Sequence, residues 1–446
     1  MTRFDPAGPL HGSLRPPSDK SISHRAALIA AMGEGETEIS GYLDAADTRS
    51  TLAAVEALGV GVEVGKESRT VAVPRDSARP PSEADLGLGL RIRGVGIRGA
   101  RSTAIDVGNA GTLLRLLPGW LAGQEGGSWT LDGDDSIRRR PVDRIAVPLR
   151  RMGARLSCRE ERLPPLQIEG TTLHGATYEM PVASAQVKSC LLFAGLLAGG
   201  ETRVLEPHPS RDHSERMLTA AGALIERDGN AVAVRPVERL EPGSISVPAD
   251  ISSAAFFVVA GLLVEASELF LEDVNVNPTR TGLLTILERM GAGIAVEDER
   301  EVGGEPIANL RIRSAPLQAT EVGGAEIPLA IDELPLVALA ACFAEGTTTI
   351  RDAEELRRKE SDRIETVTAA LRALGGKVEP TADGMVIEGT GGLRGGTIDS
   401  HGDHRIAMLG AVAGLASRDG VEVRGMDAAA VSYPGFETDL ASLLRR

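Results

Sequence analysis

Polar and apolar positions along this chain follow a pattern that repeats. A polar turn carrying Ser, Asn or Asp runs straight into an Ala/Leu/Gly-rich stretch with apolar residues at helical spacing. This happens six times, starting near Lys20, Asn109, Ser184, Ser252, Asp332 and Asp403. Four of these runs stop alike, in AAMGEGETEI, GLLAGGETRV, CFAEGTTTI and LASRDGVEV, where Gly ends a helix and β-branched residues begin a strand. A second amphipathic run follows in most units. TLAAVEALG, IAVPLRRMG, SERMLTAAG, LLTILERMG and VTAALRALG close on Gly59, Gly153, Gly222, Gly291 and Gly375 and lead into short strands such as VGVEV and AGIAV. The predicted unit is therefore strand, helix, strand, helix, strand, strand.

Helices alternating with strands must pack against sheet, so the predicted class is α/β. Six units exceed one core, which predicts two lobes of three repeats whose first-helix starts face each other across a cleft. Helix N-termini carry unpaired N–H groups and a positive dipole end, so several converging ones make an anion cavity. The sixth unit ends in the helix DLASLLRR with no strand after it. The N-terminal HGSLRPP, left without a unit, is expected to supply that strand by closing the ring. The stretches expected to be loose are Arg75 to Gly89 and Asp298 to Glu305.

Composition narrows the picture. With 446 residues, 42% hydrophobic and 25% charged, the chain reads as an ordinary globular protein, and 3% aromatics leave its cores aliphatic. A formal net charge of -15 argues against nucleic-acid partners and anionic membrane surfaces, so any anion site is a local concentration of Arg and Lys. Cys158, Cys190 and Cys342 are odd in number, far apart and without metal spacing, which suits a reducing compartment. MTRFDPAGPL holds no hydrophobic signal region, and the apolar run Ala254 to Val264 falls short of the ~20 residues of a membrane span. A cytoplasmic location is expected.

Candidate chemistry centres on Arg357, Arg358, Lys359, Glu360, Ser361, Asp362 and Arg363, where Glu360 sits among four cations. The apolar run Ile364, Val367, Leu371, Leu374 follows, so a helix over the motif would put Lys359 and Arg363 four apart on one face, beside Glu360. Alone, such a run reads first as a solvated helix face with i,i+4 ion pairs. Its company is what distinguishes it. Lys20 follows the capping candidates Ser18 and Asp19 and precedes Ser21 and Arg25, a cation at a helix end that disfavours cations. Gly108, Asn109, Ala110, Gly111 and Thr112 open a helix with small residues, Arg115 lying one turn on, and Arg138, Arg139 and Arg140 precede Pro141, which is read as a helix start. Ser184 to Ser189 and Arg211 to Glu215 read as capping turns, as does Asp250 with Ser252 and Ser253. Asp332 and Glu333 read as a helix cap and a possible base, and Asp403, His404 and Arg405 open the last repeat. His401 and His404 lack a third ligand, so no metal is expected, and Gly94, Gly96 and Gly99 match a dinucleotide fingerprint without the helix it needs.

Taken in order, DKSISHR, GNAGT, RRRP, SAQVKS, SRDHSE, KESDR and DHR resemble the EPSP synthase family, the 3-phosphoshikimate 1-carboxyvinyltransferases of the shikimate pathway and aromatic amino acid biosynthesis, over essentially the whole chain. The resemblance implies an enolpyruvyl-transferase-like, inside-out α/β barrel in each of two lobes of three βαβαββ repeats. One lobe would hold residues 1–18 and 247–446 and the other 19–246. It implies transfer of the enolpyruvyl group of phosphoenolpyruvate to the 5-hydroxyl of shikimate 3-phosphate, releasing phosphate, with no cofactor and no metal, in a monomer without nucleic-acid or membrane partners.

By the same resemblance Asp332, Glu360 and Lys20 are catalytic. Lys20, Ser21, Arg25, Ser184, Ala185, Gln186, Arg211, Asp332 and Lys359 bind shikimate 3-phosphate, and Lys20, Asn109, Gly111, Arg140, Gln186, Arg363 and Arg405 bind phosphoenolpyruvate. Ser184 to Lys188 and the Arg211 element look like the branch with herbicide-tolerant members, whereas Gly111 keeps the small residue whose enlargement is associated with glyphosate tolerance. Where another branch has a Lys before its aromatic-Pro pair, this chain has Val431, Ser432, Tyr433, Pro434. The alternatives are UDP-N-acetylglucosamine enolpyruvyl transferase, whose catalytic loop offers a Cys where only Cys158 is available here, and a non-catalytic repeat scaffold.

Overall fold

The computed structural model describes residues 1–65 and 87–444. The predicted loose stretch Arg75 to Gly89 lies, as far as residue 86, outside the described residues. In chain order the helices are α1 (Lys20–Met32), α2 (Ala46–Ala57), α3 (Gly111–Ala122), α4 (Asp143–Arg151), α5 (Ala185–Gly195), α6 (His213–Ala220), α7 (Ile251–Leu263), α8 (Gly282–Arg289), α9 (Ile327–Ala330), α10 (Leu334–Ala341), α11 (Arg363–Ala373), α12 (His404–Ala416) and α13 (Phe436–Ser442).

Local chemistry explains their limits. Of Ser18 and Asp19 it is Asp19 that caps α1, accepting from the Ile22 amide at 2.8 Å. Ser184, Asp250 and Asp403 do the same for α5, α7 and α12. Helices α2, α4, α6, α8 and α11 all close on the Gly read from the sequence. Those residues, at 59, 153, 222, 291 and 375, have φ between +93° and +100°, a conformation that a Cβ penalises. Pro141 does not start a helix: Ile137–Arg139 forms a 3-10 turn and α4 begins at Asp143.

Among the described residues the strands form six small sheets. Thr103–Asp106, Ser128–Asp132, Leu163–Glu169 and Arg155–Arg159 show the unit, a parallel pair joined through α3 and then two antiparallel neighbours. The ring closes differently from the sequence expectation. The strand missing from the sixth unit is Thr2–Phe4, antiparallel to Val421–Arg424. His11–Leu14, in HGSLRPP, instead opens the fourth unit, parallel to Glu268–Asn275, while Ser244–Ser246 opens the first, parallel to Glu36–Tyr42. Each opening strand precedes a chain crossing, so sequence order could not reveal its partner. Asp298 to Glu305 is not loose either. It lies in a long hairpin of Gly293–Val302 and Glu305–Arg313, turning at Gly303 and Gly304.

Buried apolar residues fall into two clusters. One runs from Ile22 to Val247; the other joins Leu10 and Leu14 to residues between Ile251 and Leu443. At the centre of the second cluster α7, ISSAAFFVVAGLL, is buried on every side except Leu263, as expected of a helix apolar all round. The sheets surround such helices, with strands like Glu36–Tyr42 alternating exposed and buried positions. The chain crosses between the clusters twice, from Leu14 to Ile22 and from Val247 to Ile251.

Candidate active site

Between the two cores lies a crevice of about 590 Å3. Lys20 of α1, Gly111 of α3, Ala185 of α5, Ser252 of α7, Asp332 just before α10 and His404 of α12 all reach it, so each first helix turns its N-terminal end inward. The lining carries eleven Lys or Arg against seven Asp or Glu, a net positive surface in an acidic protein.

Two carboxylates stand among these cations. Asp332 Oδ2 accepts from Arg211 at 2.6 Å, and its Oδ1 lies 3.1 Å from Lys359 Nζ and 3.4 Å from Arg363. Burial alone would raise the Asp332 carboxyl, but Lys359, Arg211, Arg405 and Arg363 outweigh it and hold it well below the usual range. Glu360 accepts from Arg363 at 2.6 Å and lies 3.6 Å from Arg140 across the crevice. Its side chain is 27% exposed, toward the crevice. Burial would again raise it, and Arg363, Arg140, His404 and Lys20 hold it well below the ordinary value. Arg363, almost wholly buried, donates to Asp403 as well and so orients three carboxylates at once.

The single helical face expected for Lys359 to Arg363 does not exist. Asp362 caps α11, which begins only at Arg363, and Lys359 is extended. A capping Asp two residues after Glu360 fixes that boundary, so Lys359 and Glu360 lie on a turn and reach different partners. Asp332 and Glu333 likewise provide no side-chain cap to α10. Glu333, 1% exposed, accepts from Ser252 and lies 3.5 Å from Arg405.

On the facing wall Lys20 pairs with Asp47 at 3.0 Å, and Arg25 is fixed by Ser214, Ser189 and the Ser21 carbonyl. Burial lowers the Arg25 pKa to about 10, still protonated at neutral pH. Gln186 is held between Arg115, which donates to its carbonyl at 2.7 Å, and the Thr112 hydroxyl at 3.2 Å. Burial also pushes His24 and His404 down to about 3, so both are neutral near pH 7.

Of the binding and catalytic residues expected from the sequence, all but Asn109 line the crevice. Asn109 stands behind it, accepting from Arg140 at 2.9 Å and donating to Asp134 at 2.8 Å, so it orients the guanidinium. Lys188 of SAQVKS is wholly buried against Glu206 and Glu215, away from the crevice. His401 is exposed beside Asp399 while His404 is buried, so the pair diverges. Asp250 and Ser252, read as a plain cap, also line the crevice.

Sequence reasoning missed Asp47, Arg144, Arg280 and Glu355. Arg144 meets Glu355 in two hydrogen bonds across the crevice, at 2.8 and 3.2 Å. Arg144 and Glu355 flank the RRRP and KESDR runs without belonging to them, and only the fold gives each of the four its partner. Among the described residues no helix is long and apolar enough to cross a membrane.

The family model described as EPSP synthase (3-phosphoshikimate 1-carboxyvinyltransferase) matches residues 4–440. A 3-phosphoshikimate 1-carboxyvinyltransferase of Synechococcus sp. (strain RCC307) is 49% identical, covering 98% of this chain and 98% of its own. That of Gloeobacter violaceus is 51% identical over 98% of this chain and 97% of its own. A solved EPSP synthase from Acinetobacter baumannii superposes with a TM-score of 0.83 at 41% identity, covering 99% of this chain and 97% of that one.

Proposed function

The chain belongs to the EPSP synthase family, and from that premise we propose that the crevice between its cores is where the family's reaction takes place, with Asp332 and Glu360 moving the protons. The activity is that of a 3-phosphoshikimate 1-carboxyvinyltransferase, which carries the carboxyvinyl group of phosphoenolpyruvate to shikimate 3-phosphate in the shikimate pathway. The two cores act as lobes, residues 1–18 with 247–446 and residues 19–246, each supplying one wall.

The reaction needs four events. The 5-hydroxyl loses its proton as its oxygen bonds to C2 of phosphoenolpyruvate, and C3 gains a proton to become a methyl group. That methyl then gives a proton back as the C2–O bond to phosphate breaks. Asp332 takes the hydroxyl proton, and Glu360 serves C3 in both directions. Lys20, Arg140, Arg363 and Arg405 support the phosphoenolpyruvate anion and the leaving phosphate, with Gly111 and Gln186 beside them and Asn109 acting through Arg140. Ser21, Arg25, Ser184, Ala185, Gln186, Arg211 and Lys359 hold shikimate 3-phosphate. The observation that carries this reading is two ionised carboxylates bracketed by cations of both cores within one crevice.

Three free cysteines support a cytoplasmic location, and the net charge of -15 supports a protein without nucleic-acid or anionic-membrane partners. One chain supplies both walls of the crevice, which supports action as a monomer. Against the UDP-N-acetylglucosamine reading, Cys158 lies on the strand Arg155–Arg159, outside the lining, and burial raises its thiol pKa. A coupled phosphate-release assay decides. With phosphoenolpyruvate, shikimate 3-phosphate should release phosphate and UDP-N-acetylglucosamine should not. Release with the latter alone overturns the reading, and calorimetric binding of both substrates without release favours the scaffold.

A further inference from the structure

Where the chain crosses between the cores, two segments pair antiparallel with reciprocal bonds. The Asp19 amide donates to the Pro248 carbonyl and the Asp250 amide to the Pro17 carbonyl, both at 2.8 Å. Asp19 caps α1 and Asp250 caps α7, the leading helices of the two cores. One guanidinium joins them. Arg280, 2% exposed, donates to Asp19 Oδ2 at 2.7 Å, Asp250 Oδ1 at 2.9 Å and Ser252 Oγ at 2.8 Å.

Two backbone bonds between extended strands leave rotation about the crossing available. A rigid planar fork anchored on both caps removes it. The clamp also continues toward the crevice on each side. Lys20 directly follows Asp19 on one side. On the other, Ser252 donates to Glu333 Oε1, which in turn accepts from Arg405. We propose that Arg280 is a positioning residue: by clamping the caps of α1 and α7 it sets the distance between Lys20 and Arg405, cations on opposite walls of the crevice. This rests on the reading above that places both on phosphoenolpyruvate and its phosphate. If Arg280 served only to neutralise two buried carboxylates, its loss would lower stability and leave the folded enzyme's kinetics intact.

The test is steady-state kinetics on Arg280→Lys, which keeps the charge but replaces the planar fork spanning both caps with a single nitrogen, with melting curves to measure the folded fraction. Per folded enzyme, kcat/KM for phosphoenolpyruvate should fall at least tenfold. Affinity for shikimate 3-phosphate should stay within threefold, because of the residues proposed to hold it all but Lys359 belong to the first core. Ser252→Ala leaves both ion pairs and removes the hydroxyl that links Arg280 to Glu333 and so to Arg405; it should raise KM for phosphoenolpyruvate threefold or more, and it decides the matter if Arg280→Lys does not fold. Phosphoenolpyruvate kinetics within twofold of the parent in folded Arg280→Lys, or in Ser252→Ala where that variant decides, overturn the proposal. Arg405→Gln separates the two levels. If it too has normal phosphoenolpyruvate kinetics, the site reading falls; if it is crippled while Arg280→Lys is normal, only the positioning role falls.

Discussion

Adding one methyl group at Gly111 tests the crevice most sharply. A Cβ built there lies 2.6 Å from the Nη1 atom of Arg140, 3.7 Å from its Cζ and 3.8 Å from Arg115. Carbon needs roughly 3.5 Å from such an atom, so the guanidinium must move by roughly 1 Å. Its freedom is small. Arg140 is 9% exposed, donates to Asn109 at 2.9 Å and Ser136 at 3.3 Å, and has Glu360 at 3.6 Å. Moving it breaks or lengthens the Asn109 bond, a charge-assisted contact of about 1.5–3 kcal/mol, and about 1.4 kcal/mol is tenfold in an equilibrium constant. In Gly111→Ala the KM for phosphoenolpyruvate should therefore rise about tenfold or more. Affinity for shikimate 3-phosphate should stay within about twofold, because Arg25, Ser184 and Gln186, proposed above to hold it, are not displaced. Gly111 does not have a positive φ, so Ala brings no backbone strain, and a helix accepts Ala better than Gly by ~1 kcal/mol. That gain is smaller than the loss at the Asn109 bond, so the melting temperature should fall slightly. Kinetics at saturating shikimate 3-phosphate would check this, and an unchanged KM for phosphoenolpyruvate would refute the steric argument.

Two further outcomes follow from the charges. Glu360→Gln keeps the shape beside Arg363 and Arg140 but carries no transferable proton, so turnover should fall at least roughly a hundredfold while calorimetry still detects shikimate 3-phosphate; near-normal turnover removes Glu360 from the mechanism. His24, with a pKa of about 3 in the fold against 6.5 when exposed, is neutral in the fold and protonated in the unfolded chain between those values. The stability it contributes is complete above pH 6.5 and is lost as pH falls, by about 2 kcal/mol at pH 5. Asp250, raised by burial and by Asp19, titrates with the opposite sign but equally in both proteins. Denaturant unfolding of His24→Gln should therefore lose about 2 kcal/mol less than the parent between pH 7.5 and 5; equal losses would show that His24 is not desolvated.

The six helix starts were legible because each is written locally, four as an Asp or Ser cap and those of α3 and α10 as a polar turn running into small apolar residues, and the five closing glycines because αL backbone nearly demands Gly. The strand exchange was not. His11–Leu14 and Ser244–Ser246 are short and pair across more than two hundred residues, so nothing beside them names a partner. Motif cations such as Lys20 and Arg140 stood out by density, whereas Arg280, Arg144 and Glu355 act through bonds to distant segments. Asn109 was legible as part of GNAGT, but its orientation, holding Arg140 from behind, belongs to packing.

The abundance of carboxylates in an anion-binding crevice has a physical purpose. Cations converging from both cores would repel, and Asp332, Glu355 and Glu360 hold them in place by pairing with Arg211, Lys359, Arg144, Arg363 and Arg140. The same pairing keeps Glu360 ionised and unable to donate a proton. An anion engaging Arg140 and Lys20 spends part of the field that depresses Glu360 and adds negative charge beside it, and both effects raise its pKa. On the proposed reading Glu360 becomes competent as an acid only when phosphoenolpyruvate is seated. Having given its proton to C3 it is a carboxylate again, and the phosphate still held on the shared cations keeps its proton affinity high enough to take the methyl proton as the C2–O bond breaks. In that mechanism one carboxyl serves both halves of an addition and elimination because its proton affinity follows the substrate's charge, a role suited to a group surrounded by shared cations rather than by one dedicated partner.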